Sequence, residues 1–331
     1  MQQVRVHAPN DVRLDEVAEP VPGPRDAVIR VSRCGICGSD VGYARTGGIP
    51  GLCSPMPLGH ELSGVVEAVG AEVQGLAPGA RVVLNPNLEG EGNGGREGGF
   101  TPRLLVRNAA LPGRLVRIPD ALSDEEAALV EPLGVGMHAV DRAQVRPEDK
   151  VVVLGAGPIG LAAIATLRDR GVADVVAIDL SPRRLELARK LGARAALDPA
   201  AGDPWQELAR LHGQWQELGA PVIGSDVYLE ASGARTAIPD LLRVAKRRAR
   251  LAVVALHREE TPVRFLDVMA KELSILGAME YPDDFQPMLD LLARSELAAI
   301  ITHRLPLARF AEALALAGDP RAGAKVMVEI H

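Results

Sequence analysis

Aromatic side chains are scarce. They make up 3% of the 331 residues, and two of them are tryptophan. A platform of stacked rings for single-stranded nucleic acid is therefore not expected. Cysteine is nearly as rare: Cys34, Cys37 and Cys53 are too few for a disulfide framework in a chain of this size. No basic run exceeds Lys246-Arg247-Arg248 and the formal net charge is −6, which argues against nucleic acid or an anionic membrane as a partner. The first six residues lack the apolar core of a signal peptide. The longest uncharged stretch, Val151 to Leu167, is broken by Gly155, Gly157, Pro158 and Gly160, which suit a strand-turn-helix better than a membrane span. A cytoplasmic, reducing compartment is the simplest expectation. Nearly all of the 37 basic residues are arginine, and no function follows from that bias.

With 47% hydrophobic residues, the chain can bury a sizeable core, and its length suits two domains. Residues 1–110 read as short strands separated by Gly/Pro turns, among them Ala27–Val31, Leu62–Val69 and Arg81–Leu84. The Gly-rich stretch 85–99 has no periodicity and reads as a loop. From about 134 the texture changes. Strands at Val151–Leu154, Val175–Ile178, Val227–Glu230, Leu251–Val254 and Leu273–Leu276 alternate with helices, which implies a parallel, doubly wound sheet. Residues 285–331 hold helical stretches and end on a strand, Lys325–Ile330. Trp205-Gln206-Glu207-Leu208 recurs as Trp215-Gln216-Glu217-Leu218, which we read as two turns of surface helix.

Gly155-Ala156-Gly157-Pro158-Ile159-Gly160 matches G-x-G-x-x-G between an apolar strand and an Ala/Leu-rich helix, the context that gives the pattern its meaning. Gly155 permits the tight turn, Gly157 lets the backbone approach a pyrophosphate, and Gly160 lets helix and strand pack closely. Asp179, at the end of the next strand, can accept from both ribose hydroxyls and would repel a 2′-phosphate, which favours NAD over NADP. Arg184 follows on the adenine side and leaves some NADP use open.

Cys34-Gly35-Ile36-Cys37 has no second C-x-x-C partner, so a closed four-cysteine site is ruled out by count. An open catalytic zinc site takes three ligands from Cys, His and carboxylate. Cys37, His60 and either Glu61 or Glu131 meet that chemistry.

Cys-Gly-Ile-Cys-Gly-Ser-Asp at 34–40, Gly-His-Glu at 59–61, Glu-Pro-Leu at 131–133 and the glycine fingerprint at 155–160 occur in that order. Together with Gly98-Gly99-Phe100 and Ile301–Leu307, this set resembles the zinc-dependent medium-chain dehydrogenase/reductase family, on its sorbitol (polyol) and butanediol side. The resemblance implies an α/β protein with a GroES-like, β-rich catalytic domain (1–133 with a return at 285–331) and a Rossmann NAD-binding domain (134–284). It implies zinc on Cys37 and His60, with Glu61 and Glu131 sharing the third position, Ser39 passing the substrate proton and Asp40 orienting a ligand. The implied reaction is a reversible, NAD-linked oxidation of a secondary alcohol to a ketone. Zinc supplies Lewis acidity, and closure of the two domains excludes water.

Three departures refine the reading. The stretch 85–99 has no cysteine, so one catalytic zinc and no structural zinc are expected. Gly42 stands where relatives often carry a relay histidine. Glu280-Tyr281 stands where polyol dehydrogenases commonly have Arg-Tyr, which weakens a plain sorbitol reading. A vicinal diol, polyol or cyclitol remains the substrate class, near Tyr43, Glu280 and Tyr281, and a carboxylate at Glu280 brings in amino-polyols. A homodimer or homotetramer is expected. Two other classes are weighed: a zinc-free medium-chain reductase of activated double bonds, and a non-catalytic nucleotide-binding relative. The joint presence of Cys37, His60, Glu61, Glu131 and Ser39 speaks against both.

Overall fold

The computed structural model describes all 331 residues. They divide into two compact units: Met1–Glu131 with Asp283–Arg294 and Ala298–His331, and Pro132–Pro282 with Ser295–Leu297.

The first unit is β-rich. β1 (Gln2–Ala8) pairs with β2 (Asp11–Glu16) across a turn at Asn10. β3 (Ala27–Gly35) is the central strand, buried at most positions, and α1 (Gly38–Thr46) follows it directly. β4 (Met56–Pro57) adds to β1, while β5 (Glu61–Val69), β6 (Arg81–Leu84), β7 (Arg103–Val106) and β8 (Leu115–Arg117) extend the sheet around β3. Ser123 caps the short helix α2 (Asp124–Ala127) in a reciprocal box with Glu126. The chain then enters α3 (Val130–Arg142).

The second unit is a six-stranded parallel sheet. Its elements are β9 (Lys150–Leu154), α4 (Pro158–Asp169), β10 (Asp174–Ile178), α5 (Pro182–Leu191), β11 (Ala195–Leu197), α6 (Pro204–His212), the hairpin β12 (Gln214–Glu217) and β13 (Ala220–Ile223), β14 (Val227–Glu230), α7 (Ala237–Val244), β15 (Arg250–Val253), α8 (Phe265–Ala270) and β16 (Ser274–Gly277). The strand order is β11-β10-β9-β14-β15-β16, a doubly wound topology that changes direction between β9 and β14. Val151, Val152 and Val153 are fully buried, which explains the unbroken apolar run.

The chain returns through α9 (Gln286–Arg294), β17 (Ile301–Pro306), α10 (Phe310–Ala317) and β18 (Lys325–Glu329). β18 lies between β17 and β3, so the last strand of the sequence closes onto the first unit's central strand.

The repeated Trp-Gln-Glu-Leu is not two turns of helix. Trp205 sits in α6, whereas Trp215 lies on strand β12. Asp203 caps the first copy, with Pro204 at its first turn. The second copy follows Gly213 and runs into a turn at Leu218-Gly219, both in left-handed backbone. Turn chemistry on either side decided the outcome.

The 85–99 stretch contains one short 3-10 turn, Pro86–Leu88, and is otherwise loop. Its anchor is a buried ion pair between Glu91 and Arg114, whose guanidinium also donates to the Asn85 and Arg107 carbonyls. Burial pushes the Glu91 carboxyl up to about 7, against the pull of Arg114.

A second buried polar cluster lies in the parallel-sheet unit. His212 is 2% exposed, with Nδ1 2.8 Å from Ser225 Oγ and Nε2 3.3 Å from Asp174. Desolvation lowers its pKa, outweighing the opposing pull of Asp174. A histidine held below its unfolded value binds protons more weakly in the folded state, so stability falls as the pH drops below the ordinary value near 6.5. Denaturant titrations between pH 8 and pH 5 are expected to show that loss in the wild type and a shallower one in His212→Gln.

Candidate active site

Three distant stretches meet at one end of the first unit's sheet. Gly35, at the end of β3, pairs with Glu61, which opens β5, and with Met327 on β18. Cys37 follows β3 as the cap of α1. His60 precedes β5 on a turn that requires Gly59, where φ is +98° and a Cβ would meet the Phe100 nitrogen at 2.8 Å and Cys34 Sγ at 3.0 Å. The result brings ligand atoms of Cys37, His60 and Glu61 within 4.8 Å of one another. Ser39 Oγ, on the first turn of α1, lies 3.4 Å from His60 Nε2.

Asp40 fixes this geometry from behind. It is fully buried, and its carboxylate accepts from the Cys37 N–H at 2.8 Å and the Gly59 N–H at 3.3 Å. It stands 3.8 Å from His60 Nδ1, a buried nitrogen with no hydrogen-bond partner. Such a carboxylate sets the orientation of a ligating imidazole.

Burial dominates the titration of the acidic groups here. Desolvation pushes the Cys37 thiol up to about 12, and the neighbouring Glu61 carboxylate adds to it. Glu131, near the start of α3 and 6% exposed, is raised to about 8 by burial, with Glu61 and Cys37 adding to it against the pull of His60. Thiol, imidazole and the Glu61 carboxylate are a donor set that suits an open zinc position, with Glu131 outside this group of three, and Cys37 is only half-buried, as an accessible position needs. The residues present therefore fit the metal.

Lys325 was not anticipated from the sequence. It opens β18 with its side chain 1% exposed, and its Nζ lies 2.6 Å from both Glu61 oxygens and 3.0 Å from the Ile36 carbonyl. Burial opposes its charge, but Glu61 and Cys37 more than offset this and raise its pKa. The sequence signal is a lysine directly before the apolar run Val326-Met327-Val328, a position that normally excludes charge unless it is paired.

In the second unit the glycine fingerprint forms the turn from β9 into α4. Gly155 has φ +92°, and a Cβ on Gly160 would fall 1.9 Å from the Gly155 carbonyl. Gly157 caps α4, Pro158 opens it, and Ile159 is half-buried beside them. Asp179 follows β10. Its two oxygens accept from the backbone N–H of Ala156 at 2.7 Å and of Ser181 at 2.8 Å, which ties the carboxylate to the glycine loop. Arg184 reaches the same loop, its guanidinium 3.9 Å from where a Gly157 Cβ would stand.

Comparison with known proteins now decides the family. Residues 23–120 match the alcohol dehydrogenase GroES-like domain and residues 158–294 the zinc-binding dehydrogenase domain. Sorbitol dehydrogenase of Homo sapiens is 36% identical, the alignment covering 93% of this chain and 90% of that protein. This chain belongs to the zinc-dependent medium-chain dehydrogenase family. The crystal structure of 2R,3R-butanediol dehydrogenase from Bacillus subtilis superposes with a TM-score of 0.87 at 29% identity, over 100% of this chain and 99% of that one. A zinc-binding dehydrogenase from Sinorhizobium meliloti 1021, bound to NADP, gives 0.84 at 27% identity over 99% of each chain. The fold is a GroES-like β-rich unit with a Rossmann sheet, and the activity class is alcohol or polyol oxidation with zinc and a nicotinamide dinucleotide.

The residues expected to meet substrate are less uniform in this dehydrogenase. Tyr43 is half-buried one turn beyond Ser39 and donates to Asn93 Oδ1 at 3.3 Å. Tyr281 is buried, while Glu280 is exposed in left-handed backbone after β16. No helix is long and apolar enough to cross a membrane.

Proposed function

We propose that this dehydrogenase carries out a reversible, NAD-linked oxidation of a secondary alcohol in a vicinal diol, polyol or cyclitol. The observation that carries the reading is the convergence of Cys37, His60 and Glu61 beside Ser39. Cys37 and His60 hold the zinc, with Glu61 and Glu131 sharing the third position. Bound zinc supplies Lewis acidity toward the alcohol oxygen. Ser39 would relay the hydroxyl proton onward to water, and a dinucleotide held by the glycine loop and Asp179 would supply the hydride acceptor that turns the alcohol into a ketone. Asp40 holds the cysteine and histidine in place throughout. Tyr43, which donates to Asn93, is our candidate for reading a second hydroxyl.

Asp179 supports NAD over NADP, because its fixed carboxylate opposes a 2′-phosphate, and like charges brought together cost several kcal/mol. An NADH-formation screen over diols, polyols and aminocyclitols, run with both dinucleotides, tests the proposal. NAD is expected to be preferred, and Asp179→Ser to narrow that preference about tenfold or more. Faster turnover with NADP in the wild type would reverse the cofactor assignment. Aminocyclitols turning over no faster than their hydroxy analogues would remove Glu280 from the substrate site.

We also propose a homodimer or homotetramer joined along β16. That strand is one of the sheet's two edges, β11 being the other, and Ile275, Met279, Phe265 and Met269 lie exposed on and around it. Free cysteines throughout suit a reducing, cytoplasmic setting.

A further inference from the structure

The Rossmann sheet reverses direction between β9 and β14, and ligands of such sheets sit outside the carboxyl ends of the strands at that point. The glycine loop leaves β9 there. The neighbouring strand, β14, ends on Glu230, which is fully buried. One carboxylate oxygen accepts from the Ser232 N–H at 2.9 Å, the Ser232 hydroxyl at 2.5 Å and the Gly233 N–H at 2.9 Å. The other meets His257 Nε2 at 2.7 Å, from the loop that follows β15.

This pairing is more than local capping. Three donors from its own turn already serve Glu230, so the fourth bond joins two separate loops. The loop after β15 has no helix or strand from Leu256 to Val263. Its start is held by the Val254 and Ala255 N–H groups on the Glu230 carbonyl. Beyond that, His257 fastens it to β14, with an exposed Arg235–Glu259 contact at 3.6 Å alongside. The Glu230 turn in turn rests on the nucleotide loop: a Cβ on Gly155 would fall 2.7 Å from the Ser232 nitrogen and Cα. His257, Glu230, Ser232 and Gly155 thus form one continuous chain of contacts across the point where the sheet reverses.

We propose that His257 is a positioning residue for the dinucleotide. Through Glu230 it holds the loops after β14 and β15 as a single wall of the cofactor crevice, and so sets dinucleotide affinity without touching the reacting atoms. The inference rests on the nicotinamide reading above.

NADH binding followed by fluorescence on the zinc-loaded protein tests it, with His257→Phe, His257→Asn and His257→Gln compared against wild type. The phenylalanine variant loses the bond and is expected to bind NADH about tenfold more weakly, the loss of one hydrogen bond to a charged group. Its kcat at saturating dinucleotide stays within about threefold of wild type, since no transition-state contact is removed. The glutamine amide can still donate to Glu230 and restores most of the affinity. The shorter asparagine does not, and it keeps the test alive if phenylalanine leaves the buried carboxylate too poorly solvated to fold. Wild-type affinity in both the phenylalanine and asparagine variants overturns the proposal, as does a glutamine variant no better than asparagine. A wild type that binds no NADH at all would instead overturn the dinucleotide reading itself.

Discussion

Cys37→Ala is expected to strip the zinc and to lower kcat/KM for alcohol oxidation by about a thousandfold or more. Lewis-acid stabilisation of the reacting oxygen amounts to several kcal/mol, and each 1.36 kcal/mol is a factor of ten. The cysteine is the one soft ligand of the set, and the three donors are already gathered within 4.8 Å. Losing one leaves two, fewer than catalytic zinc sites use. NADH binding, proposed above for the glycine loop and Asp179, is expected to survive. Metal analysis beside NADH titration checks both halves. A variant that keeps its zinc and its turnover would show that another residue completes the site.

Lys325→Met is expected to act in the opposite sense, on the protein without metal. Lys325 and Glu61 are both buried and paired at 2.6 Å. Breaking such a pair from one side leaves an uncompensated charge and costs about 3–5 kcal/mol. Part of that cost disappears once zinc is bound, because a divalent cation beside Glu61 then supplies the missing positive charge. Urea denaturation of metal-free and zinc-loaded forms, each in wild type and variant, is expected to give the larger loss in the metal-free pair. Equal losses in the two forms would mean that Lys325 is a structural cation with no bearing on the metal ligands.

How much of this was legible in the sequence depended on whether the chemistry lay in a contiguous string. Gly155 to Gly160 sits between a strand and a helix, and its steric demands are local, so the turn it makes could be read directly. Cys37, Ser39 and Asp40 are spaced along the first turn of one helix, and Gly59 with His60 forms one tight turn. Lys325 could not be placed in the same way. Its partner is 264 residues away, and only the closure of β18 onto β3 brings them together. Glu91 and Arg114 escaped notice for the same reason, as did Glu230 and His257. The two Trp-Gln-Glu-Leu copies show the converse limit. Identical tetrapeptides became helix and strand because Asp203-Pro204 starts one and Leu218-Gly219 ends the other. Substrate identity was the least legible part, since Tyr43, Glu280 and Tyr281 carry no spacing rule that fixes which hydroxyls they read.

The measurement that bears most directly on the central claim is zinc content per chain, on protein purified without added metal, paired with NADH formation before and after chelation. About one zinc per chain is expected, the content of a single open catalytic site, with activity lost to the chelator and regained on adding zinc. Protein that takes up no zinc after repletion, yet still binds NADH, would contradict the assignment of Cys37, His60 and the glutamates as a metal site and with it the alcohol dehydrogenase mechanism.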